Sequence, residues 1–194
     1  MLSSKTSFLK ILFTGVTLVS INACERNDKI EKEDIQNVLI TNNNEETEVY
    51  FFTALANSTQ AIIAKSQLAQ YKSLEQNTRK MSSKIENNQV MLLQEINKIT
   101  LKKLIVITDI NIPTNDDLYK LIDTSYVSFD KVYINSMTKL LYEQIQLLES
   151  ISKKTNDSTV SKLAFHYLPI QYKLLLETEK LNELNTIKNT TIIN

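Results

Sequence analysis

From Glu45 onward, apolar residues return every three or four positions, the period of a helix that buries one face. Phe52, Leu55, Thr59, Ile62, Ile63, Ser66 and Ala69 share the inward stripe of a first helix. Asn44 stands at its N-cap, with Glu45, Glu46 and Glu48 in the first turn, where the helix dipole favours acids. A second helix is predicted from about Glu75 to Lys103, with Met81, Ile85, Asn88, Leu92, Glu95 or Ile96, and Ile99 facing in. At 1.5 Å per residue it is roughly 40 Å long. The stretch "LIVITDINIPTNDD" breaks the period. Its β-branched residues around Asp109, followed by Pro113, read as an extended crossover.

A short helix near Asp116 to Asp123 comes next, and a third long helix covers about Tyr126 to Lys153. Phe129, Tyr133, Met137, Leu140, Gln144, Leu147 or Leu148, and Ile151 line its inner face. "KKTNDSTVSK" is the next break: Lys153 and Lys154 suit a helix C-terminus, and Asp157 or Ser158 caps the next helix. This fourth long helix carries Val160, Leu163, Ala164, Tyr167, Leu168, Leu174, Leu175, Leu181 and Leu184. Pro169 lies inside it, and the missing amide and the ring predict a kink or a break there. Four long amphipathic helices, with a longer crossover between the second and third, predict an all-α antiparallel four-helix bundle over residues 45–188, with 189–194 as a tail.

The first 44 residues have a different pattern. Lys5 and Lys10 make a basic start without acids, Ile11 to Ile21 is apolar or small, and Ala23 precedes Cys24, the lone cysteine. That is the layout of a secretory signal over residues 1–23. The apolar run falls short of the roughly 20 residues a membrane-spanning helix needs. Ile21-Asn22-Ala23-Cys24 resembles the lipobox of bacterial lipoproteins, with Asn22 in place of the usual small residue. The resemblance implies acyl chains on Cys24 and attachment to a membrane through them. Each buried CH2 contributes about 0.8 kcal/mol, and stable anchoring takes more than one chain. "CERNDKIEKEDIQNVLITNNN", residues 24–44, then reads as a flexible tether.

Composition narrows the chemistry. Without residues 1–23 the chain holds 20 bases against 22 acids, so the basic excess of a nucleic-acid binder is missing. Gly15, the single glycine, lies in the signal. Phosphate-cradling loops and dinucleotide fingerprints need glycines for close backbone approach and are excluded. Helices that would stop at a left-handed glycine are expected to stop at Asn or to fray. A serine nucleophile would have to use His166, the sole histidine, with no strained turn to present it.

"FDKVYINSM", residues 129–137, and "LAFHYLPIQYKLL" about 30 residues later resemble the bacterial family called domain of unknown function 4142. Two motifs carry the likeness: Phe129, Asp130, Tyr133 and Met137 in the first, Leu168 and Pro169 in the second. The resemblance implies a ferritin-like helical bundle, secreted or lipidated in the cell envelope, often at the outer membrane. The family's histidines do not carry over. Asn88, Leu141 and Leu174 stand in their places, and Tyr126 replaces the glycine before the Phe-Asp motif.

Ferritin-like bundles often hold two metals through Glu and Glu-x-x-His on inward faces. Here Leu163, not Glu, lies three residues before His166, which suits a surface or capping role. Glu95, Glu143 and Glu177 lie near inward stripes as a carboxylate-only alternative, but boundary glutamates flanking a core are commoner. Asn88 on an apolar stripe either fixes helix register or lines a small polar pocket. The expectation is a non-enzymatic envelope lipoprotein with no cofactor or metal, held to a membrane through Cys24, meeting an envelope protein partner and no nucleic acid. The alternative is a metal-handling or stress-related ferritin-like protein.

Overall fold

The computed structural model describes the backbone of residues 31–108 and 114–191, and side chains between 45 and 184 except 109–117 and 127. The apolar leader, Cys24, and Asp109 to Pro113 of the crossover lie outside the described residues. Contacts divide the chain into two units, Met1–Asn42 and Asn43–Asn194, and the second holds the helical core. The chain is all-α, with helices α1 (Glu31–Lys72), α2 (Gln76–Lys103), α3 (Thr114–Asp123), α4 (Tyr126–Lys154) and α5 (Ser158–Thr191). No strand occurs among the described residues. None of the described helices is long and apolar enough to cross a membrane.

Three expectations need correction. The tether assigned to 24–44 overlaps α1, which is helical from Glu31, so Asn44 is an interior residue and not a cap. The sequence there is rich in Glu, Gln, Ile, Leu and Lys and lacks Gly and Pro. An asparagine inside a helix costs at most about 0.7 kcal/mol, too little to stop it. At the other end α5 runs to Thr191, past the expected boundary at 188. Of the kink or break expected at Pro169, the break does not occur, since α5 continues through it. Pro169 and Phe165 are both exposed, and Pro169 has no amide to give the Phe165 carbonyl. Leu163, Ala164 and Tyr167 on one side, and Leu174 and Leu175 on the other, are buried and hold the helix in place.

The glycine-free chain also ends α2 in an unexpected way. Leu104 takes the left-handed conformation, φ 57° and ψ 29°. Its amide donates to the Leu101 carbonyl (3.3 Å), and the Ile105 amide to Thr100 (2.9 Å), the paired bonds of a Schellman ending that glycine usually closes. Neither Asn nor fraying stops this helix. Ile105 then packs on the core, and the Asn57 amide holds the Thr108 carbonyl at 3.1 Å.

The inward faces build two apolar clusters. One gathers Ile62, Met81, Ile85, Phe129, Tyr133, Met137, Leu141 and Leu174 from all four long helices; the other gathers Phe52, Leu55, Leu92, Ile96, Leu148, Ile151, Leu163 and Tyr167. Each such side chain contributes roughly 1.5–3 kcal/mol when fully buried, so the two clusters together hold the fold. On every long helix a polar residue lies between the two sets.

Candidate functional site

Thr59 of α1, Gln89 of α2, Gln144 of α4 and Gln171 of α5 are each fully buried at 0% exposure. Each falls where its helix passes from one apolar cluster to the other: Gln89 between Ile85 and Leu92, Gln144 between Leu141 and Leu148. Gln89 and Gln144 form a reciprocal amide pair, Nε2 to Oε1 at 3.0 Å in both directions. The second hydrogen of Gln89 Nε2 goes to Gln171 Oε1 at 3.0 Å, and that of Gln144 to Thr59 Oγ1 at 3.0 Å. The Thr59 hydroxyl donates in turn to the Leu55 carbonyl at 2.7 Å. Only Gln171 Nε2 ends the chain of donors without a partner. Turning that amide over would set its NH2 against the NH2 of Gln89, so the bond that Gln171 Oε1 accepts from Gln89 fixes its orientation.

A second polar cluster lies beside the Phe-Asp motif. Tyr133 stacks on Phe129, centroids 6.2 Å apart, and its hydroxyl meets Ser66 Oγ at 3.2 Å. Burial pushes the Tyr133 phenol far above its ordinary value, against hydrogen bonds from Ser66 and Ser82, so it stays protonated. Ser66 also contacts Met137 Sδ at 3.9 Å, and Lys65, buried on the same helix, donates to Ser136 Oγ at 2.8 Å. Asp130 accepts from the Ser73 hydroxyl, and the Arg79 guanidinium donates to the Ser73 carbonyl at 2.7 Å. Lys72 Nζ donates to the Leu121 and Ile122 carbonyls near the C-terminus of α3, where the helix dipole favours a cation. It also lies over the rings of Phe129 (5.4 Å) and Tyr126 (5.5 Å). Phe129, Asp130, Tyr133 and Met137 therefore tie the α1–α2 turn, the end of α3 and the start of α4 into one joint.

The opposite end is ionic. Lys103 Nζ bridges Glu48 Oε2 and Asp157 Oδ2, each at 2.8 Å, and Thr155 Oγ1 donates to Glu48 Oε1 at 2.8 Å. Asp157 Oδ1 accepts the amides of Thr159 (2.7 Å) and Val160 (3.0 Å), so Asp157 is the N-cap of α5. The hydrogen bond from Lys103, aided by those amides, holds its carboxyl down at about 2. Partial burial works against the Lys103 charge, but the bonds to Asp157 and Glu48 outweigh it and raise that ammonium.

The sequence candidates are scattered. Glu95 pairs with Lys98, Glu143 with Lys139 and Glu177 with Lys84, so the three carboxylates do not converge. No cluster of three His, Cys, Asp or Glu side chains able to hold a metal occurs among the described residues. His166 is exposed and lies edge-on to Tyr167 at 4.9 Å. Leu168 is partly buried and packs against both apolar clusters, with Pro169 outside it. Leu141 and Leu174 are plain core residues. Asn88 is only half-buried and donates to the Lys84 carbonyl at 2.8 Å; its neighbour Gln89 is the core residue. Sequence reasoning missed Gln89, Gln171 and Lys65.

Chemically, the layer is neutral. Amides neither donate nor accept a proton near neutral pH, so they provide no general acid or base. What the layer can do is fix the register of four helices.

Comparison with protein families matches residues 36–181 to the family described as Domain of unknown function (DUF4142). No curated protein and no solved structure matches the chain.

Proposed function

This chain belongs to the family described as domain of unknown function (DUF4142), and from that premise we propose that it is a non-enzymatic lipoprotein of the cell envelope. Cys24 carries the acyl chains that tether it to a membrane, the outer membrane being the setting proposed. The helical domain serves as a structural or interaction module for an envelope protein partner. Its four long helices form an antiparallel, ferritin-like bundle, with α3 and the segment before it as the crossover. That arrangement is supported by the polar layer, to which each long helix gives one residue.

The same layer carries the non-enzymatic reading. At the buried polar centre, where a bundle of this kind would place ligands or catalytic carboxylates, Gln89 and Gln144 pair with each other and bond on to Gln171 and Thr59, and every one of these side chains is uncharged. The lipid anchor is supported by the basic start, the apolar run and the Ile21-Asn22-Ala23-Cys24 ending. Balanced charge supports the absence of a nucleic-acid partner.

Mass spectrometry of the native N-terminus, with membrane fractionation of Cys24→Ser, tests the anchor. An acylated cysteine and release of the variant are expected; a free thiol at Cys24, or a variant still bound to membranes, would sink it. Melting should also ignore a chelator, because no metal that binds only the native state would be removed.

A further inference from the structure

We propose that the groove between the first half of α2 and the last third of α5 binds a single-chain anionic amphiphile, of which a fatty-acid carboxylate is the simplest. This site does not depend on the Cys24 anchor. The groove has a volume of about 340 Å³, open to solvent. Its floor is Met81 and Leu181, the outer side of one apolar cluster, continued by Leu184, which is 56% exposed. A floor of that kind takes an aliphatic chain and gives nothing to a free inorganic anion.

The rim supplies the sign of charge. Lys80, Lys84 and Lys180 stand around the apolar floor, with Glu177 as the acid among the lining residues. Lys84 pairs with Glu177, and among the described residues neither Lys80 nor Lys180 makes an ion pair, so their ammoniums give the rim its net positive charge. The whole chain has a formal net charge of +0, so this local excess of base is not a general property of the surface. Lysine stems extend along apolar surface while their heads reach water, which sets the positive groups at the height of a head group above a buried tail. A volume near the lower end of the 300–1,000 Å³ typical of small-molecule sites suits one chain. A protein partner of ordinary affinity would cover about 800 Å², well beyond this groove.

The test is calorimetric titration of the full chain carrying Cys24→Ser, so that no acyl chain of its own competes. Decanoate below its micelle concentration is the probe. Decyl maltoside supplies a similar tail without charge, and acetate supplies the charge without the tail. Saturable one-to-one binding of decanoate is expected, with affinities for the other two at least about tenfold weaker. Lys80→Ser/Lys180→Ser, at two rim positions, should weaken decanoate about tenfold with its melting unchanged. Leu184→Ser, at an exposed position, is the second handle and should weaken it through the tail. Equal binding of decyl maltoside would overturn the anionic assignment. Absence of saturable decanoate binding, undiminished affinity in both variants, or a Leu184-dependent dimer in light scattering would overturn the site itself.

Discussion

The amide layer in mid-core and the ionic network at one end of this domain solve opposite problems. The layer of Thr59, Gln89, Gln144 and Gln171 lies in mid-core, fully dry and uncharged. The Glu48, Lys103 and Asp157 network closes one end, partly exposed and ionic, with Lys103 27% and Asp157 32% exposed at the side chain. Three charges in mid-core would carry a desolvation penalty that their attraction hardly repays. Amides avoid that penalty and still reject any register that leaves them unpaired. At the end, where water screens and solvates, charges can be used to join three segments: α1, the end of α2 and the α4–α5 turn. Position along the helices thus decides which chemistry is tolerable, and the two networks should respond differently to mutation and to pH.

The largest effect belongs to the interior. Gln144→Ala removes both bonds of the reciprocal pair, orphans the amide oxygen of Gln89 and opens a cavity, so a loss of about 3 kcal/mol is expected. Urea denaturation reads it. The comparison is sharper with Gln89→Leu/Gln144→Leu/Gln171→Leu. Replacing all the amides together leaves no orphan, so stability should hold or rise, while well-dispersed side-chain resonances broaden as the register loosens. A triple variant as damaged as Gln144→Ala would show that the layer is a stabilising device and not a specifying one.

At the ionic end, Lys103→Ala strands two carboxylates beside each other, and Glu48 is largely buried. Hydrogen bonds to charged groups contribute about 1.5–3 kcal/mol; with this much solvent access the low end applies, so a loss of about 1.5 kcal/mol is expected by the same denaturation. The change should be smaller than that of Gln144→Ala.

Acid separates the networks next. The folded pKa of Asp157 is depressed to about 2 from an ordinary 3.8. Its contribution is therefore complete above the unfolded value and is lost as pH falls from about 4 through 2. The raised Lys103 ammonium works the other way: its contribution is complete below the ordinary 10.5 and fades as pH rises through the folded value. Asp157→Asn keeps a side-chain oxygen for the cap but has no charge to lose. Melting curves between pH 4 and 2 should fall less steeply for this variant than for the parent, with a difference of about 1 kcal/mol at neutral pH from the lost ion pair with Lys103. Parallel curves would assign the acid response to other groups. The amide layer contributes nothing to either limb.

How much of the molecule was legible differs between the two networks for a physical reason. Period alone put Thr59 and Gln144 on inward stripes, and Asp157 in a "TNDS" break is a strong capping signal. Gln89 was lost because a stripe stepping by three and four accepts 88 as readily as 89, and a glutamine is a poor marker of a core. Gln171 was lost beside Pro169, where a disturbed helix was expected and an unbroken one is found. Lys65 was lost because a lysine is read as surface; burial and a Ser136 partner across the helix interface are tertiary facts. The Phe-Asp motif was legible as a pattern, but its work as a joint for Ser73, Lys72 and Tyr133 depends on which turns come together. The scatter of Glu95, Glu143 and Glu177 likewise arises from lysines nearby in space and on the same helix.

The smallest expected effect probes the ionic end without touching a charge. Leu104 comes directly after Lys103 and holds a left-handed backbone, φ 57°, with its side chain 86% exposed. An L-residue with a Cβ pays roughly 1–2 kcal/mol in that region, and the exposed leucyl group recovers little through packing. Leu104→Gly relieves that strain but adds freedom to the unfolded chain, a loss of about 0.5–1 kcal/mol. The net expectation is a gain of about 0.5 kcal/mol, read as a higher denaturation midpoint at an unchanged slope. Since Lys103 depends on this ending for its place between Glu48 and Asp157, the acid limb of the glycine variant should keep the parent's shape. A lower midpoint would mean that Leu104 contributes packing beyond its exposure, and an altered acid limb would mean that the left-handed turn also sets the geometry of the ion network.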